Sequence, residues 1–152
     1  GNSPSEYTRA RVGDHVLAFA STNGSRAMLA AARCRRRLFA SFATLSAAVE
    51  ALAPESPESD VWLVCAGKLG RFALEDAACA GAIAARLAAR GGVLANAAAR
   101  AAAALAPETA AGVRVLVEGC DHGRWLAGLG PGFAADVSVC ATLDCLSEVA
   151  AW

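Results

Sequence analysis

The sequence predicts an α/β fold: three layers, α/β/α, with helices on both faces of a parallel or mixed central sheet. Three observations lead there. Short apolar runs alternate with helix-patterned segments, the order that builds strand–helix–strand units. The runs VLAFA at 16–20 and VWLVC at 61–65 are continuously apolar, as strands covered on both faces are. The chain has 152 residues and is 56% hydrophobic, enough for one domain with a substantial core. No internal repeat or shift in composition marks a second unit, so residues 1–152 read as a single domain.

Each element follows from local pattern. Residues 1–14 are polar, carry Gly, Pro and Asp, and read as loop. His15 to Ser21 reads as a buried strand between Gly13-Asp14 and Asn23-Gly24. Ser25 to Arg33 reads as helix and Leu38 to Phe42 as a short strand. Thr44 to Leu52 is a helix with Leu45, Ala48, Val49 and Leu52 on one face. PESPES at 54–59 is loop, and Val61 to Cys65 is the clearest strand. After the turn AGKLGRF, the stretch LEDAACAGAIAARLAAR is helical as far as Gly91-Gly92. Val93 to Leu105 is a further helix, closed by Pro107. Residues 113–130 carry a helical pattern that ends at Gly128 and Gly130-Pro131-Gly132. Val137 to Ala141 alternates weakly, as a strand does, and Ser147 to Trp152 reads as a last edge strand.

Composition excludes several functions. Fourteen Lys and Arg balance fourteen Asp and Glu, which argues against nucleic acid or a membrane surface as partner. No apolar run reaches the roughly 18 to 20 residues of a membrane helix. The start, GNSPSEYTRAR, has no apolar stretch of the kind a signal peptide carries. Six cysteines, no CxxC pair and only two histidines argue against zinc. Cys65, Cys79 and Cys140 lie in apolar runs and read as buried free thiols, which points to a reducing, cytoplasmic setting.

In open α/β sheets ligands bind beyond the carboxyl ends of the strands. That rule selects two loops. The first is STNGSR at 21–26. Uncovered N–H groups at a helix start attract an anion. Ser21, Thr22 and Ser25 add hydroxyls, Asn23 an amide, Gly24 room for close approach and Arg26 a charge. The competing reading is that Thr22 or Asn23 only caps the helix. The second loop, AGKLGRFALED at 66–76, holds Gly67, Gly70, Lys68, Arg71 and the acidic pair Glu75-Asp76. Adjacent carboxylates lie about 100° apart on a helix, so one suits a divalent cation such as Mg2+ and the other a structural role. The competing reading has both acids complementing the helix dipole, with Lys68 and Arg71 as ordinary solvated charges. The spacing is not that of a Walker A loop. His122, in CDHGRWL, is either an acid/base group or a helix-start residue beside Asp121. His15 reads as structural, Asp136 and Asp144 as turn formers, and Cys65 and Cys79 as inert packing.

Several separated stretches, taken together, resemble one family. They are GNSPSEYT at 1–8, STNGSRA at 21–27, ASFATLSAAVEAL at 40–52, VCAGKLGRFALEDAACAG at 64–81, HGRWLAGLG at 122–130 and DVSVCATLD at 136–144. Their order and their CAG-x-x-GRF-x-LED-x-x-CAG pattern resemble the 2-phosphosulfolactate phosphatases of the ComB type. The resemblance implies magnesium-dependent hydrolysis of a phosphate ester on a sulfonated three-carbon acid, giving sulfolactate and phosphate. In methanogens that step belongs to coenzyme M synthesis. On this reading Ser21 to Ser25 cradle an anionic group, and Asn2 and Ser3 close the other side of the pocket. Glu75 or Asp76 holds Mg2+, Arg71 clamps a second anionic group, and His122 or Arg124 assists the leaving group or binds phosphate.

Family members usually begin before the GNSP stretch, with a D-x-L-R-A-[ST]-like motif, so the chain is expected to be the C-terminal portion of a longer fold. A sheet lacking strands would offer an edge for another chain, hence a homo-oligomer. Ser21 and Ser25 stand where threonine is usual, and Ala40 where glycine is usual. Two other functions compete: a non-catalytic module that binds small anions or a partner, and a phosphatase for another phosphorylated hydroxy acid.

Overall fold

The alanine-rich stretches form helices, as the residue with the highest helix propensity should. A computed structural model describes residues 2–52 and 59–151, and the predicted loop at 54–59 therefore lies almost wholly outside the described residues. After a 3-10 turn at Pro4–Glu6, the helices are α1 (Arg9–Val12), α2 (Gly24–Ala30), α3 (Leu45–Ala51, entered by a 3-10 turn at Phe42–Thr44), α4 (Leu74–Ala88), α5 (Ala97–Ala104), α6 (Ala110–Gly119), α7 (Asp121–Ala127) and α8 (Pro131–Cys140). Side chains define several starts. Asn96 accepts the Ala99 N–H at 2.8 Å, Thr109 the Gly112 N–H at 3.1 Å, and the Cys120 sulfur the Gly123 N–H at 3.2 Å. Ser41 and Thr44 form a reciprocal capping box at the entry to α3.

The predicted three-layer sheet is not formed. Among the described residues β-pairing amounts to two isolated antiparallel bridges, Leu38 with Ala151 and Lys68 with Arg71. His15 to Ser21 and Val61 to Cys65 are irregular chain, and most of their apolar side chains face outward: Val16 is fully exposed and Trp62 76% exposed. Leu38 to Phe42 and the C-terminal stretch meet in a single bridge, with the Phe39 N–H donating to the Ala150 carbonyl at 2.9 Å. Val137 to Ala141, expected as strand, closes α8 instead. The physical reason is that an apolar run records a preference for burial, whereas a strand exists only in a ladder with another strand. VLAFA and VWLVC find no such partner among the described residues. In α8, Pro131 in the first turn favours helix, and Val137 and Ala141 are buried one helical turn apart.

The core is therefore helix on helix. Phe42, Leu45 and Val49 from the α3 region meet Ala78, Ala82 and Ile83 of α4, Val113 and Val117 of α6, and Val137 and Ala141 at the end of α8. Val61 to Cys65 reaches this core through partly buried Leu63. Small residues set the closest approaches. A Cβ on Gly81 of α4 would lie 1.8 Å from the Ala102 carbonyl oxygen of α5, and one on Gly123 2.0 Å from that of Val117.

The cysteine expectation also needs correcting. All six thiols are free, but Cys65 and Cys140 are exposed, and the fully buried one is Cys120. Cys79 is partly buried; desolvation, with added repulsion from Asp76 and Cys65, pushes its pKa up to about 12. No helix among the described residues is long and apolar enough to cross a membrane.

Asp144 ties the C-terminal segment to α3. Its backbone adopts φ +51°, which Asp and Asn tolerate. Its carboxylate accepts the Ser46 N–H at 2.6 Å and the Ser46 hydroxyl at 2.7 Å, with Arg86 of α4 at 3.6 Å. Burial alone would raise this carboxyl, but the Ser46 bonds and the Arg86 charge outweigh it and hold its pKa below the usual carboxylate value. A depressed folded-state pKa stabilises above the unfolded value and loses that stabilisation as pH falls through the folded one. Asp144→Asn keeps the tolerated backbone and removes the charge. It is expected to cost roughly 1 kcal/mol at neutral pH. In denaturant melts against pH, the gap to the parent should close in acid.

Candidate active site

The site is built where the turn at 66–71 meets the first turns of α4 and α7. Lys68 and Arg71 exchange both backbone hydrogen bonds, at 3.1 and 3.0 Å, closing a tight hairpin over Leu69-Gly70. Both central residues have positive φ, +53° for Leu69 and +76° for Gly70, as a type I′ turn requires. Gly suits this conformation, whereas Leu pays for it, typically about 1 to 2 kcal/mol. Two side chains hold the strained turn. Asn23 Oδ1, at the start of α2, accepts the Leu69 N–H at 3.0 Å, and Asp76 Oδ2 accepts the Gly67 N–H at 2.7 Å. Leu69 is largely exposed, so Leu69→Asn gives up little packing. That variant is expected to raise the melting temperature by about 2 to 4 °C, read by calorimetry.

Glu75, in the first turn of α4, accepts a hydrogen bond from His122 Nδ1 at 3.2 Å, in the first turn of α7. The carboxylate is the more buried partner, 21% exposed against 41% for the imidazole. The buried Cys120 thiol lies beside the same carboxylate; desolvation first, and then Glu75, keep it protonated by raising its pKa. Trp125, one turn along α7, stands 5.9 Å from the His122 ring, and Lys68 Nζ sits 4.5 Å over the Trp125 face. Glu75 and Asp76 also line a groove of about 750 Å³ that Gly24, Ala66, Cys65 and Cys79 share.

The predicted site residues divide accordingly. The two loops do meet, through Asn23 and Leu69. Glu75 and His122 meet as an acid–imidazole pair. Ser21 and Ser25 spend their hydroxyls on the start of α2: Ser21 Oγ accepts the Gly24 N–H at 3.0 Å, and Ser25 Oγ accepts the Ser21 N–H at 3.1 Å. Thr22 is exposed beside them. Ser3 turns to Asp136 of α8, donating at 2.7 Å, with Asn2 exposed next to it. Arg124 closes on its own helix, donating to Asp121 Oδ1 at 2.6 Å and to the Gly119 carbonyl. Arg71 is exposed and has no side-chain partner among the described residues.

A family model described as 2-phosphosulpholactate phosphatase matches residues 1–152. The chain belongs to that family. A protein of Synechococcus sp. (strain JA-3-3Ab), named a probable 2-phosphosulfolactate phosphatase, is 40% identical over 149 residues, covering 98% of this chain and 61% of the relative. A like-named protein of Synechococcus sp. (strain JA-2-3B'a(2-13)) gives the same identity and coverage. That of Thermotoga maritima is 42% identical over 87 residues, 57% of this chain and 37% of its own. The chain thus spans about three-fifths of the length of the Synechococcus relatives. In this member of the phosphosulfolactate phosphatase family, Trp125 joins the site without having been singled out, and Lys68 of the second loop gains a partner the sequence did not name. The signal for Trp125 is its position three residues after His122, on one helical face; the loop placed Lys68, but no local signal joins it to Trp125, which lies across the fold.

Proposed function

We propose that the chain carries the catalytic residues of a phosphoric monoester hydrolase acting on 2-phosphosulfolactate, with Mg2+ as its cofactor. The observation that carries the reading is the Glu75–His122 pair, joined at 3.2 Å across two helix starts. A carboxylate on Nδ1–H fixes the imidazole tautomer and leaves Nε2 for proton transfer, to the departing alkoxide or from the attacking water. Family membership supplies the reaction class. The cationic turn at Lys68 and Arg71 suits a substrate with several negative charges.

The residues fit Mg2+ in a limited sense. Among the described residues no group of three or more His, Cys, Asp or Glu side chains is arranged to hold a metal. Mg2+ rarely needs such a cage: it keeps several waters and uses one or two carboxylates beside a substrate phosphate. Glu75 and Asp76, which both line the groove, are hard oxygen donors of that number. When bound there, Mg2+ would offset the charge developing on the phosphoryl oxygens. Asp76 in addition anchors the turn through Gly67, and Glu75 orients His122.

The test is phosphate release from 2-phosphosulfolactate by the purified protein, with Mg2+ and with chelator. Release that chelator abolishes and Mg2+ restores supports the reading. No release with any phosphorylated hydroxy acid, sulfonated or not, would leave the non-catalytic anion-binding module in its place. Faster release from an unsulfonated ester would move the substrate assignment and keep the reaction.

A further inference from the structure

We propose that Lys68 is a substrate-binding residue which, in the free protein, is parked on Trp125, and that with Arg71 it forms a two-cation clamp for a tetrahedral oxyanion. This deepens the phosphatase reading and rests on it for the identity of the anion. Lys68 and Arg71 are directly opposed in the hairpin, each donating its N–H to the other's carbonyl. Residues so paired send their side chains from the same face of the hairpin. Like charges placed there repel each other, and neither cation meets a carboxylate among the described residues. The turn also holds a leucine at φ +53°. A strained turn that opposes two uncompensated cations has poor stability logic of its own; a doubly charged anion between them removes the repulsion.

The parking contact supplies the rest. Lys68 Nζ lies 4.5 Å over Trp125, whose ring stands 5.9 Å from that of His122, and His122 is bonded to Glu75. The lysine is therefore fixed at its backbone by the hairpin and by Asn23 at the next residue, while among the described residues its tip is held only by an aromatic face. A half-exposed ammonium–indole contact is weaker than a charge-assisted bond to a phosphate oxygen, so an arriving anion takes the ammonium from the ring. The clamp places that anion beside the acid–imidazole pair.

Trp125 makes this measurable without turnover. Trp62 and Trp152 are the other two indoles, so a protein carrying Trp62→Phe and Trp152→Phe reports Trp125 emission alone. Inorganic phosphate and methanesulfonate are titrated separately at fixed ionic strength. The proposal expects a saturable emission change with at least one of them, lost in Lys68→Gln together with tenfold or more of the affinity, and restored in large part by Lys68→Arg. The anion bound more tightly, phosphate or sulfonate, names the group that the clamp takes. In phosphate-release assays Lys68→Gln should raise KM by about tenfold with a smaller change in kcat. Unchanged anion affinity in Lys68→Gln, or an emission change that survives it, overturns the proposal. Lys68-dependent binding in a protein that releases no phosphate keeps the clamp and rejects the phosphatase reading, whereas catalysis with Lys68-independent binding does the reverse.

Discussion

A Gly81→Ala variant is expected to lose several kcal/mol of stability and to unfold roughly 10 °C early, or to accumulate as insoluble protein. An alanine Cβ at this position would stand 1.8 Å from the Ala102 carbonyl oxygen and 2.3 Å from its carbon. Both atoms belong to the backbone of α5, so no rotamer change relieves the clash; α4 and α5 must separate by more than an ångström. That separation would open the packing of α4, which supplies Ala78, Ala82 and Ile83 to the core. Overpacking costs typically about 1 to 3 kcal/mol when side chains can yield, and a backbone clash belongs at or above the upper end. Against a total stability of about 5 to 15 kcal/mol, that loss is large. Gly119→Ala, where nothing lies within 4 Å, is the control and should be neutral or stabilising by up to about 1 kcal/mol. Urea melts of the three proteins, read by circular dichroism, make the comparison. A Gly81→Ala midpoint equal to that of the parent would contradict the close crossing of α4 and α5.

The second large effect falls on activity. Glu75→Gln is expected to lower kcat for phosphate release by about 10² to 10⁴, the usual worth of a positioned acid–base group. The amide is close in size to the carboxylate and keeps an oxygen to accept from His122 Nδ1, so the fold should survive. What disappears is the negative charge that, on the proposed mechanism, orients the imidazole and would attract Mg2+. The variant should therefore melt within a few degrees of the parent while losing turnover. Full activity in Glu75→Gln would make the acid a helix-dipole partner and no more.

The helices were legible because their evidence is local. Alanine content, the 3.6-residue spacing of Leu45, Ala48, Val49 and Leu52, and the glycines after Arg90 mark α3 and α4 without reference to the rest of the chain. The sheet failed because pairing is not local: VLAFA and VWLVC look like buried strands, yet no described segment lies alongside them in a ladder. Val137 to Ala141 was misread for a different reason, a weak alternation preferred over Pro131 and a four-residue spacing. The site was half legible. Residue types identified Glu75, Asp76, His122, Asn23 and Arg71, and the two loops do meet, but by the amide of Asn23 on a turn rather than by neighbouring strand ends. Partner choice was beyond the sequence. Nothing in it joins Lys68 to Trp125, turns Ser3 toward Asp136, or spends Arg124 on Asp121.

The central claim is that Glu75 and His122 act as one unit on the phosphate ester. A double-mutant cycle of Glu75→Gln and His122→Asn on kcat/KM for phosphate release tests it most directly. Residues working as a unit lose most of their worth with the first substitution, so the double variant should be little worse than the poorer single one. Losses that multiply, with the double variant slower by the product of the two single effects, would show two independent residues and contradict the account.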